Sequence, residues 1–313
     1  ISTMMLNLRF YSAPFGIALN LTLAMLLLFS IAGYFGQYSS ILDLFSHFKF
    51  YYLLLSVIVF LVILPLGSKG WIITGIVVIS LNLYELYPSF IRVHPSRPYS
   101  RTIKILHANV SSHNQYFDQL LELIERENPD IISLQEINID RWKTMDLLRD
   151  YPYSSTAIRK RKFGIALFSK IKLMDFAPKE WEEGRLPVIL GKLKSQNNTV
   201  EILATHLSRP KFFKRRNQQL LTISRLMEKT NSMIIVGDLN ISRWSPIYKK
   251  FIGKLRLKNS ADGFGLLATW PSFFPILPID HFLVSKNIHV INIKTGGRIG
   301  SDHIPLIVEL GLE

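Results

Sequence analysis

The chain has 313 residues, a formal net charge of +14 and no cysteine. That length suits roughly two structural units, and the missing cysteines exclude disulfide cross-links and thiolate chemistry. Only five of the 37 Lys and Arg and two of the 23 Asp and Glu precede residue 100, so nearly all titratable chemistry must lie beyond it.

In chain order, three apolar runs come first, none with Lys or Arg inside: Phe15 to Gly36, Phe50 to Gly67 and Trp71 to Tyr87. Each approaches the roughly 17 to 25 residues that cross a bilayer as a helix, the form that satisfies its own backbone in hydrocarbon. Aromatics at the run ends, among them Tyr34, Tyr51, Trp71 and Tyr87, suit an interfacial belt. The expectation is a membrane region over 1–88 with three transmembrane helices, about 15–36, 50–67 and 71–87. A buried helical hairpin of a soluble protein is the alternative; a signal peptide would account for the first run but not the other two.

Arg9 and Lys69 fall on one side of these crossings, and Lys49, Arg92, Arg97, Arg101 and Lys104 on the other, which by the positive-inside rule favours a cytoplasmic C-terminal region. Charges at the start of a globular domain are poor reporters of topology, so the side stays open. Pro88, Pro95 and Pro98 block helix continuation and hold the chain extended, so 89–100 reads as a linker.

From residue 101 onward, short β runs alternate with amphipathic helices. Strands are expected at Ile103 to Val110, Ile131 to Gln135, Phe163 to Ser169, Val188 to Leu193, Thr199 to Thr205, Met233 to Val236, Asp280 to Ser285, Val290 to Thr295 and Ile304 to Glu309. Helices are expected at Tyr116 to Glu127 and Arg215 to Lys229. Many strands with two clear helices suggest an α/β sandwich rather than a regular βαβ array.

Polar residues punctuate these strands. Asn109, Glu136, His206 and Asp238 with Asn240 follow apolar runs, Asp280 and His281 open one, and Asp302 with His303 precedes the last. Apolar strands that repeatedly end in such groups suggest ends converging on one site. Gly237-Asp238-Leu239-Asn240 alone is also a good turn, since Gly tolerates positive φ and Asp and Asn bond their own backbone.

Glu136, after Leu134-Gln135, would be costly to bury without a partner. With Asp302 it offers hard oxygen ligands for Mg²⁺ or Mn²⁺, although an exposed strand-end acid would read the same way. His303 suits proton transfer near neutral pH, with Asp280 as the carboxylate that would fix its tautomer. A structural histidine is the alternative, and His206 at a second strand end weighs against it.

Two basic clusters follow: Arg159 to Lys162, and Lys211, Lys214, Arg215 and Arg216. They could neutralise nucleic-acid phosphates, face solvent, or meet anionic headgroups. Trp270 to Pro278 is an apolar loop just before Asp280, suited to base stacking, lipid contact or simple packing.

The ordered set Asn109, Leu134-Gln135-Glu136, Thr205-His206-Leu207, Gly237-Asp238-Leu239-Asn240, Ile279-Asp280-His281 and Ser301-Asp302-His303 resembles the deoxyribonuclease I-like endonuclease/exonuclease/phosphatase superfamily, over about residues 101 to 311. The resemblance implies a four-layer α/β sandwich, two mixed sheets flanked by helices, that hydrolyses phosphoester bonds with a divalent cation. Position by position it implies metal ligands at Asn109, Glu136 and Asp302, and a catalytic set of His206, Asp238, Asn240, Asp280 and His303. Within that set Asp238 resembles the water-orienting residue, Asn240 a donor to phosphate oxygen, and the two histidines the phosphate-binding, proton-transferring pair. His206 makes the chain more similar to the pancreatic deoxyribonuclease and sphingomyelinase branches than to the abasic-site endonucleases. Many relatives carry Arg two residues before the position of Asp280, where this chain has Pro278. Trp244-Ser245-Pro246 is similar to bacterial members with N-terminal membrane helices, which implies a multi-pass bacterial inner or plasma membrane protein.

Arg209, Lys211 and Trp270 are the substrate-binding candidates. The leading expectation is a membrane-anchored, Mg²⁺- or Mn²⁺-dependent nuclease or phosphodiesterase. A lipid phosphodiesterase or phosphatase is the second reading, and a non-catalytic membrane binding protein the third. Its partners would be a phosphodiester or phosphomonoester substrate, nucleic acid or phospholipid, and the bilayer; no protein partner is inferable.

Overall fold

The computed structural model describes residues 14–65, 68–92, 99–137, 149–157, 164–181, 186–195 and 198–312. They form two compact units, Ile1–Phe90 with Trp244–Lys249, and Ile91–Arg243 with Lys250–Glu313.

Among the described residues the first unit contains the helices α1 (Pro14–Ala32, continued by a 3₁₀ turn), α2 (Ser40–Ser46), α3 (Lys49–Ile63) and α4 (Lys69–Phe90). Two helices, Pro14–Phe35 and Lys69–Phe90, are long and apolar enough to cross a membrane. The middle run differs from expectation. At about 1.5 Å per residue α3 alone falls short of a ~30 Å hydrocarbon core, and it reaches that length only together with α2, bent by 61°. The bend has a local cause: His47 closes α2 with a tight bond to Leu44 O, and Phe48 leaves helical geometry at ψ 23°. Among the described residues there are thus two helices long and apolar enough to span, or three if the bent pair is one span.

α4 also passes through Pro88 to Phe90, beyond the expected linker start. Proline there forfeits one bond in the final turn and is itself exposed, while Glu85, Leu86 and Ser89 of the same stretch are buried. Inside the unit, Lys49 Nζ donates to Ser30 O at 2.6 Å and Asn82 Nδ2 to Ser30 Oγ at 2.8 Å. Both acids of the region are engaged: Ser245 Oγ donates to Asp43 Oδ1 at 2.6 Å, and Lys249 pairs with Glu85. Leu21, Met25, Leu28, Leu54, Ile58 and Leu61 face outward.

The second unit runs β1 (Arg101–Asn109), α5 (Phe117–Glu127), β2 (Ile131–Ile137), β3 (Tyr153–Ala157), β4 (Gly164–Ser169), β5 (Met174–Trp181), β6 (Leu186–Ser195), β7 (Asn198–Thr205), α6 (Phe213–Met227), β8 (Met233–Asp238), α7 (Pro246–Lys254, of which 246–249 group with the first unit), β9 (Leu257–Asn259), β10 (Asp280–Ser285), β11 (His289–Thr295) and β12 (Leu306–Leu312). Two six-stranded sheets result, ordered β11-β12-β1-β2-β4-β3 and β5-β6-β7-β8-β10-β9. Each is mixed by one parallel pair, β1·β2 and β7·β8, with every other pairing antiparallel. A parallel pair needs a crossover, and α5 and α6 supply them.

Period-two alternation sorts the side chains. Ile103 and Ile105 of β1, Ile202 and Ala204 of β7, Ile234 and Val236 of β8, and Phe282 and Val284 of β10 fill one core between the sheets. Leu106 and Ala108, on the opposite face of β1, meet Leu120, Leu123 and Ile124 of α5. α6 buries Leu220, Ile223 and Met227. The architecture is therefore the expected α/β sandwich of two mixed sheets flanked by helices. β3, β5, β9 and α7 were not anticipated, the edge strands being too short or too polar to stand out. The basic cluster Arg159 to Lys162, and Phe163, lie outside the described residues.

Candidate active site

The alternation that fills the core also aims the polar strand ends. His107 and Asn109 continue the inward face of Ile103 and Ile105; His206 continues that of Ala204, Asp238 that of Val236, and Asp280 that of Phe282. Asn109 and Glu136 end one parallel pair, and His206 and Asp238 end the other, so the carboxyl ends of the two crossover units share one edge of the sandwich. Asp280 pairs directly with Asp238 across antiparallel β10·β8.

Glu136 breaks the alternation. By strict period it would follow Leu134 toward α5, but β2 shifts register between Gln135 and Ile137, and Glu136 takes a left-handed φ of 56°. A bulge re-aims one side chain at a local strain cost, and here it turns the carboxylate to Asn109, Arg209 and His206. Asn240 is likewise left-handed, at φ 50°.

Gly237 is obligatory for a steric reason. At its φ of 152° a Cβ would lie 1.8 Å from Thr205 O and 2.5 Å from Gln135 Nε2. Gln135 bolts the two sheets together at this point, donating to Thr205 O at 2.6 Å and accepting from the Asp238 N–H at 3.0 Å.

Asp238 stands at the centre. Its Oδ1 accepts the Asn240 N–H at 2.8 Å, and its Oδ2 lies 3.3 Å from Asn109 Nδ2, 3.5 Å from His206 Nε2 and 3.8 Å from His303 Nε2. Asn240 Nδ2 donates to Leu207 O at 3.0 Å. His303 Nδ1 donates to Asp280 Oδ2 at 2.8 Å, while Asp280 Oδ1 receives His107 Nε2 at 2.9 Å.

Burial disfavours a charge on either member of the Asp280–His303 pair, but their mutual attraction and hydrogen bonds prevail. Asp280, also bonded by His107, is held well below the ordinary carboxylate range. His303, drawn by Asp280 and then by Asp238 and Asp302, is lifted to about 10.

The expected metal ligands separate. Glu136 is 7% exposed, and among the described residues its Oε1 lies 3.3 Å from Arg209 Nη2, 3.5 Å from Asn109 Nδ2 and 4.0 Å from His206 Nε2. Asn109 turns its NH₂ to the carboxylates, and its oxygen accepts from the Ser111 N–H at 3.1 Å. Asp302 is exposed at the rim, 3.4 Å from Trp270 Nε1. Asp238, Asp280 and His303 bring potential ligand atoms within 4.8 Å of one another. In that trio His303 and Asp280 already bind each other, and an imidazole protonated on both nitrogens has no lone pair for a cation. The loosely held Glu136 carboxylate beside Asp238 is the better fit for a hard divalent ion.

Of the substrate candidates, Arg209 reaches Glu136 and Trp270 reaches Asp302, whereas Lys211 is exposed with its ammonium 5.1 Å from the Phe212 ring centroid. Arg216 corrects the basic-cluster reading: it is fully buried and donates to Asn240 O at 3.0 Å. Gln219 accepts from the Ser208 N–H at 2.8 Å, and His281 Nε2 lies 2.8 Å from Ile241 O. Burial lowers His281 to about 4, so its ring is neutral at physiological pH and donates to that carbonyl. Of these support residues, Gln219 and His107 are not named from the sequence, while Arg216, Gln135 and His281 enter there only as members of a basic cluster or a motif, without a structural role. The available signal was a polar residue at an inward position of an apolar strand.

A buried acidic cluster, two imidazoles and amide donors converge at the carboxyl ends of opposed strands, an arrangement suited to phosphoester chemistry. The chain belongs to the Endonuclease/Exonuclease/phosphatase family, which matches residues 106–303 and whose members are phosphoesterase hydrolases, typically dependent on a divalent metal. It is similar in fold to the catalytic domain of human nocturnin (20% identity, 69% of this chain and 97% of that one, TM-score 0.55). D. rerio TDP2 complexed with a single-strand DNA product matches at 13% identity over 68% of this chain and all of the other, TM-score 0.55. A mannosyl-6-phosphatase of Bacteroides thetaiotaomicron matches at 17% identity over 66% and 99%, TM-score 0.53. A search of curated proteins gave no significant match.

Proposed function

We propose that the protein is a membrane-anchored phosphodiesterase of the nuclease-like kind, using Mg²⁺ or Mn²⁺ and a water nucleophile. The observation that carries this reading is Asp238, set between His206 and His303 with the Asn240 and Asn109 amides around it. Attack on a phosphodiester builds negative charge on the phosphoryl oxygens, and cationic and amide donors aimed there stabilise it where it develops. In this reading Asp238 orients and deprotonates the water, His303 and His206 bind phosphate oxygens and move protons, and Asn240 donates to a phosphoryl oxygen. Glu136 would hold the cation, assisted by Asp302 from the rim, and the cation would supply further positive charge to the phosphate. Arg209 is the substrate clamp.

The bilayer reading is supported by the two long apolar helices and by the large aliphatic side chains that the first unit turns outward. A lipid phosphodiesterase is the second reading. It is favoured by Phe273 and Phe274, 73% and 65% exposed on the loop that carries Trp270.

The test is turnover by the full chain in detergent with Mg²⁺ or Mn²⁺, offered DNA, RNA, sphingomyelin and phosphoinositides. We expect hydrolysis of a nucleic acid. Hydrolysis of lipid alone would select the second reading, and no turnover of any substrate would refute both.

A further inference from the structure

We propose that His107 is a positioning residue of this site, the second imidazole that fixes Asp280 and through it aims His303; the proposal rests on the phosphoesterase reading above. His107 is fully buried in β1, two residues before Asn109, with its ring edge-on to Phe282 at 6.3 Å between centroids. Its Nε2 lies 2.9 Å from Asp280 Oδ1, and its Nδ1 has no hydrogen-bond partner among the described residues. The ring hydrogen therefore sits on Nε2, and all its polar bonding is directed at one carboxylate oxygen.

The need for it follows from the shape of a carboxylate. The terminal torsion of Asp is broad and roughly two-fold, so a single donor on Oδ2 leaves the plane of Asp280 free to rock. Donors on both oxygens, His303 on one and His107 on the other, fix that plane and hence the direction of the His303 ring. That ring holds Nε2 3.8 Å from Asp238 Oδ2. Packing alone does not account for His107, because β1 fills its neighbouring inward positions with Ile103 and Ile105 and a lone buried ring nitrogen is unfavourable.

The experiment compares wild type, His107→Leu and His107→Gln in the full chain in detergent. The amide of Gln can place a donor near the position of Nε2; Leu cannot. Turnover on the best substrate of the panel is read as kcat and KM, and the His303 Nδ1–H proton is followed by NMR on ¹⁵N-histidine-labelled protein. Loss of a group that orients another costs about 10- to 100-fold in activity. We therefore expect His107→Leu to lose that much kcat with KM within about twofold, and to shift or broaden the His303 proton signal. His107→Gln should recover most of both. An unchanged kcat in a folded His107→Leu protein, or equal losses in Leu and Gln, would overturn the proposal. If the wild type turns over nothing, the phosphoesterase reading fails by itself, and the proton signal still decides whether His107 governs the Asp280–His303 bond.

Discussion

The two sides of the pocket are held in different ways. On one, His107, Asp280 and His303 are joined by bonds of 2.8 and 2.9 Å, with every acceptor oxygen of the carboxylate occupied. On the other, among the described residues, Glu136 meets Arg209, Asn109 and His206 at 3.3 to 4.0 Å. Short bonds fix direction, while longer ones leave carboxylate lone pairs available to a hard cation. The locked side therefore suits proton transfer, where geometry decides, and the open side suits the cation and phosphate, whose charge a buried carboxylate and an exposed guanidinium can share.

The difference can be broken most severely at the locked side. His303→Ala should lower kcat by about 10³-fold, in the range of general acid–base catalysis, with KM changed little. A comparable rise in KM with kcat intact would move His303 to the binding side.

His281, next to Asp280 on β10 but bonded to Ile241 O, gives a test through stability. Its folded value of about 4 lies below the 6.5 of an unfolded histidine, so protonation favours the unfolded chain. Its contribution is complete above pH 6.5 and lost as pH falls toward 4. At about 1.4 kcal/mol per unit this amounts to about 3 kcal/mol. Denaturant titrations at pH 7 and pH 4 should show His281→Gln losing less stability on acidification than wild type, and an equal loss in both proteins would sink the idea.

On the open side, Glu136→Gln should raise the Mg²⁺ or Mn²⁺ concentration for half-maximal activity by at least about 10- to 100-fold, the scale already lost when only a hydrogen-bond partner of a metal ligand is removed. An unaltered metal titration would place the cation elsewhere. Arg209→Ala should have the smallest effect, a rise in KM of about fivefold, as expected of an exposed charge. A larger fall in kcat than in affinity would show that Arg209 acts in the transition state instead.

Much of this was legible in the sequence. The strands that carry Asn109, Asp238 and Asp280, or are flanked by His206 and His303, are apolar runs whose polar ends mark where the fold stops being a core and becomes a site. Hydropathy also marked the helical region, but could not see the break at Phe48, which is a matter of backbone geometry inside an apolar run. Glu136 shows a subtler limit. Its type and place were readable, yet alternation would have pointed it at α5, and only the bulge explains its aim. Arg216 failed differently: a run of basic residues looks like one surface, while helical periodicity turned one of its members inward to Asn240 O.

The left-handed backbone at Glu136 means that the fold and its chemistry want different residues at that position. Asparagine tolerates such a conformation better than glutamate and brings no charge to bury. Without divalent cation, Glu136→Asn should melt above wild type while losing activity. A protein that becomes sturdier on losing one acid has kept that acid for its reaction and not for its architecture.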